Sequence, residues 1–160
     1  MSREVRFYHL ERQPSHQALV GLMKQVLKAG HRALVRCPDP DSMARLDEAL
    51  WVQEPDSFLP HGRADGAEPH RQPILLTLGT ENPAGADILT LVDGAAPPDD
   101  VSDFQRLLVL FDGRNDAVRD SARGQWRHFR DLGFHLSYWR QPESGGWVRE
   151  REHQPDGQGA

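Results

Sequence analysis

A single cysteine, Cys37, is the whole thiol content of the 160-residue chain. That excludes an internal disulfide and a thiolate metal site, and leaves Cys37 the expected role of a small buried hydrophobe. No apolar run approaches the roughly 20 residues needed to cross a bilayer. The opening residues MSREVRFYHL also lack the basic-then-apolar pattern of a secretory signal. A cytoplasmic protein with no membrane partner is therefore expected. The phosphate-binding patterns G-x-x-x-x-G-K-[ST] and G-x-G-x-x-G do not occur. The first strand-to-helix turn, LERQPSH, has no glycine to let the backbone approach a pyrophosphate. Nucleotide binding in the usual mode is thus disfavoured and no cofactor is expected. None of the eight histidines forms H-E-x-x-H, and His61, His70, His128 and His135 lie in unrelated local contexts. Asp47 and Glu48 with His61 come nearest to a hydrolytic metal site, yet adjacent carboxylates on a helix point in different directions. Neither a metal centre nor a catalytic residue is expected.

What is present describes a globular chain. Its length suits one domain with a sizeable core. The 38% hydrophobic and 27% charged content is ordinary, while twelve Pro and fourteen Gly imply long loops. Val5 to Leu10 reads as a strand with Val5, Phe7 and His9 on one face. Ser15 then caps a helix in which Leu19, Leu22, Met23, Val26 and Leu27 recur at helical spacing, and Gly30 ends it. Arg32 to Cys37 reads as a second strand, and Asp41 caps a second helix carrying Met43, Leu46, Ala49 and Leu50 on its apolar stripe. Pro55 to Pro73 reads as a long loop. Ile74 to Leu78, Ile88 to Val92 and Arg106 to Phe111 follow as strands between turn-rich segments. Alternating strands and helices at this spacing predict a Rossmann-like three-layer α/β domain whose mostly parallel sheet is flanked by helices. The domain is expected over residues 1–140. Residues 141–160, polar and glycine-rich, read as a flexible tail with Trp147 as its anchor, with an added strand as the alternative.

Charge, aromaticity and helical period converge only between Asp116 and Trp139. Val118, Ala122 and Phe129 make the buried stripe of a helix, and Arg119, Arg123, Arg127 and Arg130 make a second stripe beside it. Trp126 lies on the border between the two. The chain carries a net charge of -5, yet residues 119 to 140 hold five Arg against two Asp. A local reversal of sign favours an anionic partner, and arginine suits fork-shaped recognition of carboxylate or phosphate. Two other readings stand beside this one. One is direct binding of single-stranded nucleic acid, with Trp126 stacked on a base. The other is a nucleotide-using enzyme built on the sheet despite the missing glycines.

The run Leu46, Asp47, Glu48, Ala49, Leu50, Trp51, followed by Ser57, Phe58, Leu59, Pro60 and His61, resembles a signature of the chi subunit family of bacterial DNA polymerase III. Phe7 to Leu10 is similar to that family's first strand. Gly133 and Phe134, after a basic aromatic helix, look like its last helix and strand, so the similarity spans about residues 5 to 140. The resemblance implies a domain without catalysis of its own, joined to the clamp-loader assembly through the psi subunit where one exists, with a helicase as a further partner of relatives. It also implies recognition of the acidic C-terminal tail of single-stranded DNA-binding protein, so that nucleic acid is met only indirectly. Carried over, the family's basic positions match Arg119, Arg123 and Arg127, and its aromatic position matches Trp126. Trp51 and Phe58 match its other contact positions, with Arg130 and Tyr138 as additional candidates. This chain has Arg where relatives often have Lys, and Trp where they often have Tyr.

Overall fold

The computed structural model describes residues 3–11, 13–52, 59–142 and 146–155. Its strands are β1 (Glu4–Leu10), β2 (Ala33–Arg36), β3 (Gly62–Arg63), β4 (Ile74–Thr77), β5 (Ile88–Val92), β6 (Arg106–Asp112), β7 (His135–Arg140) and β8 (Val148–His153). The helices are α1 (Ser15–Lys28), α2 (Pro40–Val52) and α3 (Asp116–Asp131). The strands form one sheet in the order β3-β4-β2-β5-β6-β1-β7-β8, parallel throughout except for the antiparallel pair β7–β8. No helix among the described residues is long and apolar enough to cross a membrane.

The central strands read LLVLF and ILTLV because both of their faces are buried, as parallel strands between helical layers must be. One face carries Tyr8, Leu10, Val35, Leu76 and Leu110 against Leu19, Leu22 and Met23 of α1 and Met43, Leu46 and Leu50 of α2. The other carries Val5, Phe7, Leu89, Val109, Phe111 and Leu136 against Ala122 and Phe129 of α3. Among the described residues α3 is the helix that packs there, and loop residues Ala86, Val101 and Phe104 complete the cover. Arg3 fastens that loop by donating to the carbonyls of Phe104 at 3.0 Å and of Val101.

The ends of the helices differ in detail from the sequence reading. Ser15 is the first helical residue of α1, after Pro14, and its hydroxyl donates to Asp93 at 2.6 Å instead of capping the helix. Gly30 does stop α1, with a φ of +85° that favours glycine. For α2 the cap is Asp39, whose Oδ1 accepts from the Ser42 amide at 2.8 Å; Asp41 already lies inside the helix. Asn115 caps α3 by accepting from the Val118 amide at 3.1 Å. The loop expected after α2 contains β3 and a 3₁₀ turn at Pro69–Arg71.

The largest difference lies within residues 141–160. There Val148–His153 form a strand, although the segment VREREH has one aliphatic residue and almost no burial. A strand held by backbone pairing to an edge, with Trp147 packed against Tyr8 at 5.0 Å, leaves no apolar alternation to detect. On the α3 side, Phe129 is 1% exposed and its ring lies 5.3 Å from that of Phe134. Phe129→Ala is expected to lower the unfolding free energy by about 3–5 kcal/mol, measured by urea denaturation.

Candidate functional site

Because α3 covers only part of its face of the sheet, a cleft of about 750 Å³ opens between it and the β7–β8 edge. Its floor is aromatic. Phe7 of β1 lies 5.3 Å from the Trp126 ring, Tyr138 of β7 lies 6.5 Å from it in an edge-on arrangement, and Phe111 of β6 stacks on His9 at 5.1 Å. Arg119, Arg123 and Arg127, one helical turn apart, line the α3 side. Glu150 and Arg151 of β8 line the other.

The cations are held to different degrees. Arg119 Nη2 pairs with Asp116 at 2.8 Å, and Nη1 donates to the Gly113 carbonyl at 3.4 Å. Its Nε is shielded and has no partner among the described residues. Arg123 lies 3.6 Å from Asp120, a looser and more exposed pair. Arg127 has no carboxylate at ion-pair distance among the described residues. Each surface pair stabilises the fold by only about 0.2–1 kcal/mol, so exchanging an internal Asp for a ligand carboxylate costs little.

Two ring groups at the base of the cleft are coupled. His9 Nδ1 and the Tyr138 hydroxyl share a hydrogen bond, and Glu11 lies 3.7 Å from His9 Nε2. Burial pulls the His9 imidazole below its ordinary range despite Glu11, and burial together with the nearby Glu150 and Glu11 pushes the Tyr138 phenol up. His9 is also confined from behind. A Cβ at Gly113 would sit 1.7 Å from His9 Nε2, so this position tolerates no side chain unless the imidazole moves.

Of the residues named from sequence, Arg119, Arg123, Trp126, Arg127 and Tyr138 come together here. Arg130 lies outside the cleft and pairs with Asp131 at 3.3 Å. Trp51 ends α2 on the opposite face of the sheet, 55% exposed, with its ring 5.3 Å from His61. Phe58 lies outside the described residues. Phe7, His9 and Phe111 were missed as site residues. Their alternation along the strands was legible, but not which face stays open. Glu150 and Arg151 had no sequence signal at all.

The strand ends where sheets of this type hold nucleotides are occupied from within. The Asp93 carboxylate accepts from Ser15 Oγ at 2.6 Å and from Ser42 Oγ at 2.5 Å, which sets an internal anion before the first turns of both α1 and α2. Cys37 lies beside it, its thiol pushed up to about 12 by burial and by Asp93 and Asp39. A thiol so raised stays protonated and is a poor nucleophile. His61 is engaged through Nε2 with Asp47 at 2.9 Å and through Nδ1 with the Leu59 carbonyl at 2.7 Å.

Residues 1–137 match the family model described as DNA polymerase III chi subunit, HolC. The chain is 26% identical over 141 residues to the DNA polymerase III subunit chi of Haemophilus influenzae, covering 86% of this chain and 96% of that one. It is 29% identical over 126 residues to the subunit chi of Pseudomonas aeruginosa, covering 79% and 86% of the two chains. Against the subunit chi of Escherichia coli the identity is 29% over 116 residues, with 69% and 74% covered.

Two outcomes follow from the packing at the base of the cleft. Gly113→Ala is expected to destabilise the fold by about 1–3 kcal/mol, measured by urea denaturation, because the added methyl would displace the His9 imidazole from its contacts with Phe111 and Tyr138. The second concerns pH. Since burial disfavours the His9 imidazolium in the folded state, the unfolded chain takes up that proton more readily. The His9 contribution is therefore complete above the ordinary value near 6.5 and is lost as pH falls through it. Urea midpoints should decline between pH 7.5 and 5.5, and less steeply in His9→Asn.

Proposed function

The chain belongs to the DNA polymerase III chi subunit family and is thereby an accessory subunit of DNA replication, and from that premise we propose that its cleft receives the acidic C-terminal tail of single-stranded DNA-binding protein. In this reading the domain performs no catalysis of its own. It joins the clamp-loader assembly through the psi subunit and tethers that assembly to template coated by the binding protein. The observation that carries the reading is the pairing of an aromatic floor, Phe7, Phe111, Trp126 and Tyr138, with three arginines spaced along α3. A peptide of a few Asp followed by Ile-Pro-Phe and a free carboxylate has the complementary chemistry.

Magnitudes define what such a cleft can do. Burying the terminal Phe against Trp126 and its neighbours contributes about 1.5–3 kcal/mol. An arginine holding the terminal carboxylate adds about 1.5–3 kcal/mol, and each exposed Arg–Asp contact adds about 0.2–1 kcal/mol. Association and ordering of a flexible peptide remove several kcal/mol. The remainder corresponds to micromolar binding or weaker, where micromolar is about -8.2 kcal/mol. Several tails acting together would supply firm attachment while each remains quick to release. A transient tether to a moving template needs that combination.

The arginines also fit a phosphate backbone, but the chain's net charge of -5 opposes a polyanion, and a short basic surface releases few counterions. Fluorescence anisotropy of a labelled peptide ending Asp-Asp-Ile-Pro-Phe, as free acid or amide, separates the two. Micromolar binding of the free acid is expected, weakened by amidation and by salt, and weakened at least tenfold, or about 1.4 kcal/mol, in both Arg123→Ala and Trp126→Ala. Binding that ignores amidation and both substitutions, or tighter binding of a bare oligonucleotide, would remove the tether reading.

A further inference from the structure

The wall of the cleft opposite α3 comes from β8, and β8 lies beyond residues 1–137 that match the family. Its register explains how it reaches the cleft. Tyr138 pairs with Arg151 but Trp139 pairs with Arg149, so Glu150 is one residue too many and forms a bulge. A bulge re-aims side chains and increases local twist. Here it turns both Glu150 and Arg151 toward the cleft, where a regular strand would send neighbours to opposite faces.

The ion pairs along this strand are uneven. Glu152 is held by His135 at 2.8 Å and by Arg149 at 3.0 Å, and Glu150 by Arg140 at 3.0 Å, while Arg140 also reaches Glu11 at 3.4 Å. Both acids of β8 are thus engaged away from Arg151. Among the described residues Arg151 has no carboxylate at ion-pair distance, although it is directly opposite Tyr138 and faces the cleft. An arginine that served only to keep the sheet edge from pairing with another chain would not need the bulge to aim it inward.

We propose that β8 is a second recognition wall, outside the residues that match the family, in which Arg151 holds an acidic side chain of the peptide across the cleft from α3 and Glu150 rejects acids placed beside it. This rests on the tail-binding reading of the cleft. It makes the peptide's position along the cleft depend on both walls: attraction at Arg151 and repulsion at Glu150 together define where a carboxylate is accepted.

The test uses the full chain and the same labelled peptide, with a second peptide carrying Asn for both Asp. Arg151→Ala should weaken the Asp peptide about two- to fivefold, the range of an exposed charge pair, and Arg151→Glu should weaken it more than tenfold. Glu150→Gln should tighten it about twofold. Arg149→Ala, on the same strand but outside the cleft, should leave it unchanged. None of these variants should alter binding of the Asn peptide, because the coupling is between charges. If the Arg151 variants bind the Asp peptide like the parent while Arg123→Ala still loses it, the β8 wall is wrong and the α3 site stands. Equal effects of Arg151→Glu on both peptides would also overturn it, as that is a change of shape or folding. If the parent protein does not bind the Asp peptide, both readings fall together.

Discussion

Parallel pairing sets Phe7 of β1 between Val109 of β6 and Tyr138 of β7, and the cleft depends on that register. Because side chains alternate along a strand, a slip of one residue would exchange Phe7 and His9 for Arg6 and Tyr8 on the α3 face. Phe7 would leave the floor beneath Trp126 and a guanidinium would be placed there instead. The register is enforced from both sides. Tyr8 and Leu10 fit among the α1 residues as closely as Phe7 fits beneath Trp126. The site therefore draws its rigidity from the same burial that stabilises the domain. Its floor is an exposed margin of the core.

Electrostatics at the cleft works against the charge of the whole molecule. At physiological salt, screening confines a surface charge to roughly 8 Å, so the arginines of α3 act locally despite the net charge of -5. Their partners Asp116 and Asp120 are on the same helix, one turn earlier, in exposed pairs. Such pairs orient the guanidinium groups without committing them. In the proposed binding, a ligand carboxylate would meet cations already extended along the helix and would replace contacts of small worth.

Edge strand β8 combines two physical requirements. It closes an otherwise open side of the sheet with charged residues, which discourages pairing with another chain. Its bulge also directs two of those charges toward the aromatic floor. Trp147, packed on Tyr8, and Trp139, under the Arg6 guanidinium at 5.6 Å, anchor the strand from the other face. Contacts on one face of the sheet thereby fix the wall of a site on the other.

Local pattern was enough to locate α1, α2, α3 and the five strands β1, β2, β4, β5 and β6, because an amphipathic helix or a doubly buried strand declares itself through its own apolar spacing. The same logic placed Arg119, Arg123, Arg127 and Trp126 on one side of α3, since a helix of known pitch fixes the relative directions of its side chains. Helix caps depend on hydroxyl and carboxylate partners that spacing does not specify, and Ser15 found Asp93 across 78 positions. Trp51 of α2 and Trp126 of α3 are both aromatic residues on helices, and spacing along the chain does not say that the sheet sets their helices on opposite faces. Which residues each element turns inward is a property of short-range geometry and is written in the spacing of the chain. That α3 leaves β1 and β7 partly uncovered, and that Arg151 of β8 faces Trp126 across the gap, emerges in the folded molecule alone, because those relations arise from pairing between distant segments and leave no period in the chain.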